Sequence, residues 1–180
     1  TEQLQALKTA QIVALSTDAI TALTTDQLGA LTCPQNNALT APQINAIFAS
    51  GNSAAWNMGS PIVLDLNGNG IQTASLAQGV QFDIFGVDRA VNTGWIAGGD
   101  GLLVMDRNRD GAVNGGRELF GEGTDLLSGD KARNGYLGMA ELDNNQDGVL
   151  DTSDVAFKDL MVWVDTDSDG VSQSTELHGL

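Results

Sequence analysis

The sequence predicts an α+β protein in two parts, an all-α arm of octad repeats followed by a module of short strands, short helices and acidic loops. Two observations support this prediction. In residues 1–55, an alanine followed by a large aliphatic residue recurs every eight residues. In residues 61–180, short apolar runs repeatedly end in aspartate. Residues 56–60 belong to a stretch rich in Gly, Ser and Asn and are predicted to be a linker.

The octad repeat predicts short helices. Its Ala-Leu or Ala-Ile pairs start at residues 6, 14, 22, 30, 38 and 46. Between the pairs, residues 24–27, 32–35 and 40–43 each place Thr three positions before Gln, which is the spacing of a helix capping box. Pro34 and Pro42 fit the first helical turn, where a missing N–H has no partner to lose. We therefore expect a small solenoid of helical turns that serves as scaffold or spacer, with a strand-based coil as the alternative.

The second part predicts strands that lead into loops. Four apolar runs, at residues 62–64, 80–82, 102–105 and 161–164, are each followed directly by an aspartate. Aliphatic, β-branched and aromatic runs of this length are typical of buried strands. Two short helices are expected as well, at residues 136–142 and 155–160.

Acidic side chains are concentrated in the second part. The chain has a formal net charge of −15, and residues 61–180 contain 20 of its 23 acidic side chains and seven of its eight basic ones. Carboxylates held so close together repel one another and destabilise a compact state unless cations neutralise them. This charge argues against nucleic acid as a partner, and no apolar run is long enough for membrane insertion.

The aspartate after the last apolar run opens a loop of twelve residues with a regular spacing of oxygen-bearing groups. Positions 1, 3, 5, 7, 9 and 12 are Asp165, Asp167, Asp169, the carbonyl of Val171, Gln173 and Glu176. Position 6, where the backbone must turn sharply, is Gly170. A calcium ion takes six to eight oxygen ligands from this pattern of positions, so the sequence predicts an EF-hand-like calcium loop. The alternative is an acidic turn that binds no ion.

A second loop begins at Asp143. Its corresponding positions are Asp143, Asn145, Asp147, the carbonyl of Val149, Asp151 and Asp154. The aspartate at position 12 is one methylene shorter than glutamate and reaches an ion less easily with both oxygens. This site is therefore expected to be weaker or more tolerant of magnesium.

Two further loops lack an acidic residue at position 12. The loop after residue 105 supplies Asp106, Asn108, Asp110 and the carbonyl of Ala112, and a one-residue expansion brings Glu118 to the ion, with help from Asp100. The loop after residue 64 supplies Asp65, Asn67, Asn69 and the carbonyl of Ile71, and Asp83 is a candidate for its missing carboxylate. The alternative for this loop is an Asn-Gly turn without an ion. We expect three to four calcium ions in all.

Other metal and nucleotide chemistry is poorly supported. The chain has a single histidine, His178, and a single cysteine, Cys33, far from it in sequence, so no local zinc cluster can form. The glycines at residues 98–101 are not followed by Lys-Ser or Lys-Thr, which excludes the usual phosphate loop.

Several motifs in the second part resemble the self-processing module of the FrpC-like RTX proteins, over about residues 60–178. They lie at residues 60–71, 93–95, 100–104, 116–121, 134–136 and 162–165, in the order found in that family. The resemblance implies a protein exported by type I secretion from a Gram-negative bacterium and a module that folds on calcium. It also implies cleavage of an Asp–Pro bond at the start of the module, through an anhydride that water or a lysine amine opens. The octads resemble Leu-Thr-x-x-Gln-Ile arrays of large bacterial surface or secreted proteins.

One departure from that family concerns the scissile bond. Ser60 precedes Pro61, and attack of a serine hydroxyl on its own carbonyl would close a strained four-membered lactone. We therefore predict no catalytic residue, and we expect a calcium-binding module of a secreted or cell-surface protein that folds on extracellular calcium. The alternatives are a self-processing enzyme that cleaves and transpeptidates at Asp–Pro, and a calcium-ordered module that binds a protein partner or mediates adhesion.

Overall fold

The computed structural model describes residues 2–50, 61–97, 99–132 and 134–180. The chain divides into two compact units, Thr1–Met58 and Gly59–Leu180. The linker expected at residues 56–60 lies outside the described residues. Helices and antiparallel sheets are both present, so the predicted α+β class is confirmed.

The first unit consists of short helices, one for each octad. They are α1 (Glu2–Gln5), α2 (Thr9–Val13), α3 (Thr17–Thr21), α4 (Thr25–Leu28), α5 (Cys33–Ala38) and α6 (Ala41–Ala49). The Thr-Gln pairs cap them as their spacing predicts. The backbone N–H groups of Thr24, Thr32 and Thr40 donate to the side-chain oxygen of the glutamine three residues on, at 2.7–2.9 Å. The helical interpretation of the repeat is thereby confirmed, and the strand-based coil is wrong.

Helices three octads apart pack together, α2 against α5 and α3 against α6. Three short helices therefore complete one turn of the arm. The aliphatic residue in the middle of an octad faces inward, and Ile12, Ile20 and Leu28 are fully buried. The exception is Asn36, which takes this position in one octad and is half-buried. Burial of the aliphatic residue explains why the other octads repeat it so regularly, since each fills the same place in the core.

Two buried glutamines join successive turns of the arm. The side-chain amide of Gln35 donates to the carbonyl oxygens of Leu4 and Leu7, both at 2.8 Å. The amide of Gln43 does the same with Ile12 and Leu15, at 2.9 and 2.7 Å. The oxygen of each glutamine caps its own helix, so both ends of the side chain have partners in the protein.

The described residues of the second unit contain eight short strands. They are β1 (Val63–Leu64), β2 (Gln72–Ala74), β3 (Val80–Phe82), β4 (Val91–Thr93), β5 (Trp95–Ala97), β6 (Gly101–Met105), β7 (Leu160–Trp163) and β8 (Leu177–Gly179). Four of them form an antiparallel sheet in the order β1-β6-β7-β8, and the pairs β2-β5 and β3-β4 form two small antiparallel sheets. Each of the four apolar runs that the sequence identified overlaps one of these strands, namely β1, β3, β6 and β7.

The central strand β6 is buried on both faces. Leu102 and Val104 belong to a cluster that includes Phe82, Trp95 and Trp163. Leu103, on the opposite face, packs with Phe120 and Leu160 in a second cluster. The continuous apolar run of β6 is what a strand between two cores requires. These cores fix the strand ends from which the loops start.

The helical segments of this unit are short. Helix α7 (Gly135–Ala140) has Asn134 as its N-cap, whose side chain accepts the N–H of Leu137 at 3.1 Å. A 3-10 turn at Phe157–Asp159 replaces the helix expected at residues 155–160. Among the described residues, no helix is long and apolar enough to cross a membrane.

Candidate metal centres

The four loops share one backbone conformation. Position 6 is a glycine with φ between 74° and 89° in every loop, namely Gly70, Gly111, Gly148 and Gly170. Position 4 is also left-handed, with φ between 58° and 75° at Gly68, Arg109, Gln146 and Ser168. Three non-glycine residues in this region indicate a conformation that the rest of the loop imposes.

The aspartate at position 1 organises each loop. The N–H of the position-6 glycine donates to one of its carboxylate oxygens, at 2.8–2.9 Å in all four loops. The other oxygen accepts an N–H from position 4 or 5 at 2.7–3.2 Å. The loops after residues 64, 105, 142 and 164 are therefore wrapped around the side chain that opens them.

The side chains at positions 3 and 5 point into the same ring of hydrogen bonds. The side-chain oxygens of Asn67, Asn108 and Asn145 each accept the N–H two residues on, at 2.8–3.1 Å. Asp110, Asp147 and Asp169 each accept the N–H of position 7, at 2.7–2.9 Å. The position-7 residues that bond in this way are Ala112, Val149 and Val171. In the first loop, the side chain of Asn69 accepts a hydrogen bond from the side chain of Gln72 at 3.4 Å. Ile71, whose carbonyl oxygen is a predicted ion ligand, is about half exposed.

Two loops bring three carboxylates within 4.8 Å of one another. One group is Asp165, Asp167 and Asp169, from positions 1, 3 and 5 of a single loop. The other is Asp106, Asp110 and Glu118, so the expanded loop does place Glu118 beside the aspartates that precede it. Within the described part of the chain, these groups contain only carboxylates, which are hard oxygen ligands suited to calcium rather than zinc.

We call the carboxylate at or just after position 12 of a loop its closing carboxylate. The closing carboxylates occupy equivalent places in three loops. The N–H of position 9 donates to Glu176, Asp154 and Glu118, at 3.3, 3.0 and 2.9 Å respectively. The position-9 residues are Gln173, Asp151 and Asn114 in that order. In two loops the N–H of position 2 reaches the second oxygen, at 2.8 Å for Glu176 and 3.0 Å for Asp154. The equivalence holds although Glu118 lies one residue later in its loop than the other two.

Comparison with known proteins identifies the second unit. Residues 62–180 match the model of the SPM domain. The chain belongs to the SPM domain family. Residues 1–33 match the ALTTAQ repeat, whose name matches the residue pattern of the octads. Over 130 residues the chain is 42% identical to the iron-regulated protein FrpA of Neisseria meningitidis serogroup C.

The alignment with FrpA covers 71% of this chain and 12% of FrpA. The chain therefore corresponds to about an eighth of that relative's length. Together with the SPM domain match, this relationship is consistent with the resemblance to RTX proteins.

Burial and hydrogen bonding shift the pKa values of the loop carboxylates in opposite directions. Burial is the main cause that raises the pKa of Glu118, which is only 3% exposed. Desolvation, followed by the charges of Asp169 and Glu176, raises the pKa of Asp167. Hydrogen bonds from backbone N–H groups lower the pKa of Asp65 and Asp110, with Gly70 and Ala112 as the main donors.

The pKa of Glu176 is also lowered, although burial alone raises it. The N–H and hydroxyl of Thr166 both donate to one of its oxygens at 2.8 Å, and these bonds favour the charged form. The backbone N–H groups of Asn114 and Asn108 also act to lower the pKa of Glu118, but burial outweighs them. One of its oxygens, Oε1, is buried without a hydrogen-bond partner among the described residues. Of the three closing carboxylates, Glu118 is thus the one that a cation would complete.

Sequence reasoning missed two tryptophans that donate hydrogen bonds to carboxylates of the last loop. The indole N–H of Trp95 donates to Asp165, which is 7% exposed. The indole N–H of Trp163 donates to Glu176 at 3.4 Å. Both rings lie in the larger apolar core, where their N–H groups need acceptors. The available signal was the presence of tryptophan in runs otherwise composed of aliphatic residues.

The structure places two distant carboxylates differently from the expectation. The oxygens of Asp83 accept the N–H groups of Val87 and Asp88 at 3.0 and 2.7 Å, so Asp83 organises its own turn. Asp100, expected near the Asp106 loop, instead accepts the N–H of Gln72 at 2.7 Å, beside the first loop.

Proposed function

We propose that this chain is a calcium-binding segment of a large secreted or cell-surface bacterial protein, and that its SPM domain folds when extracellular calcium fills its loops. The observation that carries the proposal is the buried Glu118 beside Asp106 and Asp110, with Oε1 lacking a partner. An unpaired carboxylate oxygen away from water is costly, and a cation removes that cost.

Calcium suits these loops better than other common cations. Their ligand groups are carboxylates, side-chain amides and backbone carbonyls, which are the ligands calcium takes in flexible seven-coordinate loops. Magnesium prefers a stricter octahedron that keeps several waters, and zinc prefers nitrogen and sulfur. Three to four ions are proposed: three for the loops closed by Glu118, Asp154 and Glu176, and the fourth for the loop at Asp65.

Charge couples ion binding to folding. Two like charges about 4 Å apart cost on the order of 1–4 kcal/mol near a protein surface, depending on the local dielectric. A domain of this size has a net stability of only about 5–15 kcal/mol. Several unneutralised loops can therefore offset most of the stability of the SPM domain, and calcium bound to the folded form restores it.

Location is proposed from relatives. Calcium is abundant outside the cell, where loops with millimolar affinity are filled. The similarity to FrpA and the resemblance to RTX proteins support export of the full-length protein. The octad arm is proposed to act as a spacer or scaffold next to the SPM domain.

Calorimetric titration tests the proposal. We expect calcium added to the chelator-treated chain to bind at two or more sites and to increase the near-ultraviolet circular dichroism of the tryptophans. Magnesium at the same concentration should give a smaller response. Binding of fewer than two calcium ions would overturn the proposed function.

Self-processing at the start of the SPM domain is the second candidate function. The structure favours it in one respect, because Pro61 is held against the body of the domain. The N–H of Ile62 donates to the carbonyl of Phe120 at 2.8 Å, and a Cβ at Gly121 would lie 3.1 Å from the Cα of Pro61. Ser60 itself lies outside the described residues, and its hydroxyl lacks the reactivity of the aspartate it replaces.

Mass spectrometry separates the two functions. The native chain should keep a single intact mass in millimolar calcium, whereas Ser60→Asp should release some N-terminal fragment ending at residue 60. A calcium-dependent break between Ser60 and Pro61 in the native chain would contradict the assignment of calcium binding alone.

A further inference from the structure

Strand pairing brings the first loop against a turn that is distant in sequence. The first loop joins β1 to β2, and residues 99–100 lie in the turn that joins β5 to β6. Strand β1 pairs with β6, with Leu64 opposite Gly101, and β2 pairs with β5, with Gln72 opposite Ala97. Both strands that flank the loop are therefore bonded to the strands that flank the turn, and the two connections lie face to face.

Asp100 is the acidic side chain of that turn, and it is almost completely buried, at 1% exposed. Its Oδ2 accepts the N–H of Gln72 at 2.7 Å. Its Oδ1 is buried with no hydrogen-bond partner among the described residues. The turn also lies close to the loop, since a Cβ added to Gly99 would be 3.8 Å from the side-chain nitrogen of Asn67.

The environment of Asp100 reproduces that of Glu118. In each case one carboxylate oxygen accepts an N–H from the second half of a loop, from position 8 for Asp100 and position 9 for Glu118. In each case the other oxygen is buried and unpartnered. Glu118 closes a loop from within the same segment of chain, whereas Asp100 reaches its loop across a sheet.

The first loop needs such a residue. Its position 12 is Leu76, and its own ligands at positions 1, 3 and 5 carry a single charge, on Asp65. A calcium loop is completed by a carboxylate on the side opposite position 1. A buried carboxylate oxygen with no donor beside it costs free energy unless a cation or a proton is present.

We propose that Asp100 is the closing ligand of the first loop and that the two together form a calcium site assembled from two separate connections between strands, β1 to β2 and β5 to β6. This inference rests on the proposed calcium-binding function. The site holds two carboxylates, from Asp65 and Asp100, with the side-chain oxygens of Asn67 and Asn69. Calcium at this site links β1 and β2 to β5 and β6, so the ion ties the edge of the main sheet to one of the small sheets.

The ion stoichiometry of the full chain tests the assignment. Asp100→Asn keeps the size of the side chain and an oxygen for the Gln72 N–H, but removes the charge. We expect the variant to bind one calcium ion fewer than the native chain, or to bind that ion at least about 10–100-fold more weakly, since loss of even an outer partner has that effect. The control Asp130→Asn makes the same change at an exposed aspartate and should retain every ion.

A double variant sharpens the result. If Asp65 and Asp100 hold the same ion, Asp65→Asn combined with Asp100→Asn loses one ion, as each single variant does. Loss of two ions would show separate sites and would overturn the proposal, as would full native stoichiometry and affinity in Asp100→Asn. Absence of calcium binding by the native chain would instead refute the proposed function itself.

A measurement on the native chain covers the case in which Asp100→Asn does not fold. The Cγ chemical shifts of Asp65 and Asp100 can be followed by carbon-13 NMR during a calcium titration. Both should change together at one calcium concentration. A change at Asp65 without one at Asp100 would overturn the assignment.

Discussion

The two units of this chain complete their buried polar side chains in opposite ways. In the octad arm, the amides of Gln35 and Gln43 bond to backbone carbonyls one turn of the arm away, and their oxygens cap helices. In the SPM domain, Glu118 and Asp100 are equally buried but each keeps one oxygen without a partner. The neutral glutamines are satisfied by the protein alone, whereas these two carboxylates require a partner from solution. Calcium should therefore stabilise the SPM domain and leave the stability of the octad arm unchanged.

Removal of calcium should give the largest difference between the units. We expect chelation to abolish most amide-hydrogen protection in residues 61–180, because the acidic loops repel without their ions. Residues 2–50 should keep their protection, since their caps and glutamine bonds involve no ion. Hydrogen exchange with and without chelator measures both units in one sample. Equal protection of residues 61–180 in the two conditions would show that calcium decorates a preformed fold.

Within the SPM domain, the loops should differ according to burial and charge. Asp165→Ala removes a 7% exposed carboxylate that also accepts the Trp95 indole, in a loop with four carboxylates. We expect a loss of about 3–5 kcal/mol in the unfolding free energy of the calcium-loaded protein. Asp65→Ala, in an exposed loop with a single carboxylate among positions 1, 3 and 5, should cost much less. Urea denaturation in saturating calcium compares the two, and equal losses would contradict the ranking.

A substitution in the arm should act independently of calcium. Gln43→Leu leaves the carbonyls of Ile12 and Leu15 without their partner, which should cost about 2–4 kcal/mol of arm stability. Gln27→Leu is a matched control, because Gln27 caps Thr24 in the same way and should cost about 0.5–1 kcal/mol. Thermal melts followed at 222 nm, with and without chelator, provide the readout. An effect of Gln43→Leu that depends on calcium would contradict the prediction that the arm is stable without the ion.

Glu118→Gln should have the smallest effect on the unfolding free energy of the SPM domain, and the sign of that effect should depend on calcium. Glu118→Gln removes a buried charge, so the calcium-free SPM domain should gain about 1 kcal/mol, while the calcium-loaded form should lose an ion and become less stable. Burial raises the pKa of Glu118 in the folded state, so its proton is held more tightly there than in the unfolded chain. Its contribution to calcium-free stability is therefore greatest below the ordinary glutamate pKa and decreases as the pH rises through the folded pKa.

The pH dependence of Glu118 is read as a difference between two proteins. Asp167 has a shift of the same sign, and Asp65, Asp110 and Glu176 have shifts of the opposite sign, so the total slope mixes several groups. Subtraction of the Glu118→Gln stability curve from that of the native chain isolates the one residue. If the difference in unfolding free energy between the two calcium-free proteins does not change between pH 4 and pH 7, burial does not raise the pKa of Glu118.

Local chemistry explains how much of this molecule could be predicted from its sequence. The capping boxes at Thr24 and Thr40 and the glycines at position 6 depend on residues within a few positions of each other, so their spacing was sufficient. Strand β6 was visible because a strand buried on both faces is apolar throughout. The expanded position of Glu118 could be inferred for the same local reason, as it lies only one residue past the regular spacing.

Contacts between residues far apart in sequence could not be predicted. Asp100 lies beside the first loop because Leu64 pairs with Gly101, and nothing near Asp100 in sequence indicates that pairing. The bonds from Gln35 and Gln43 span 28–31 residues, a distance set by the number of octads in one turn of the arm. The octad spacing predicts each helix but not how many helices make a turn.

The direction of the glutamine bonds has a consequence for assembly of the arm. Gln35 and Gln43 both bond to carbonyls that precede them in the chain, at Leu4 and Leu7 and at Ile12 and Leu15. During synthesis, which proceeds from the N-terminus, each new octad finds its acceptors already made. The array can therefore consolidate one octad at a time as it leaves the ribosome. Because each octad adds one short helix in the same way, the number of repeats sets the length of the arm.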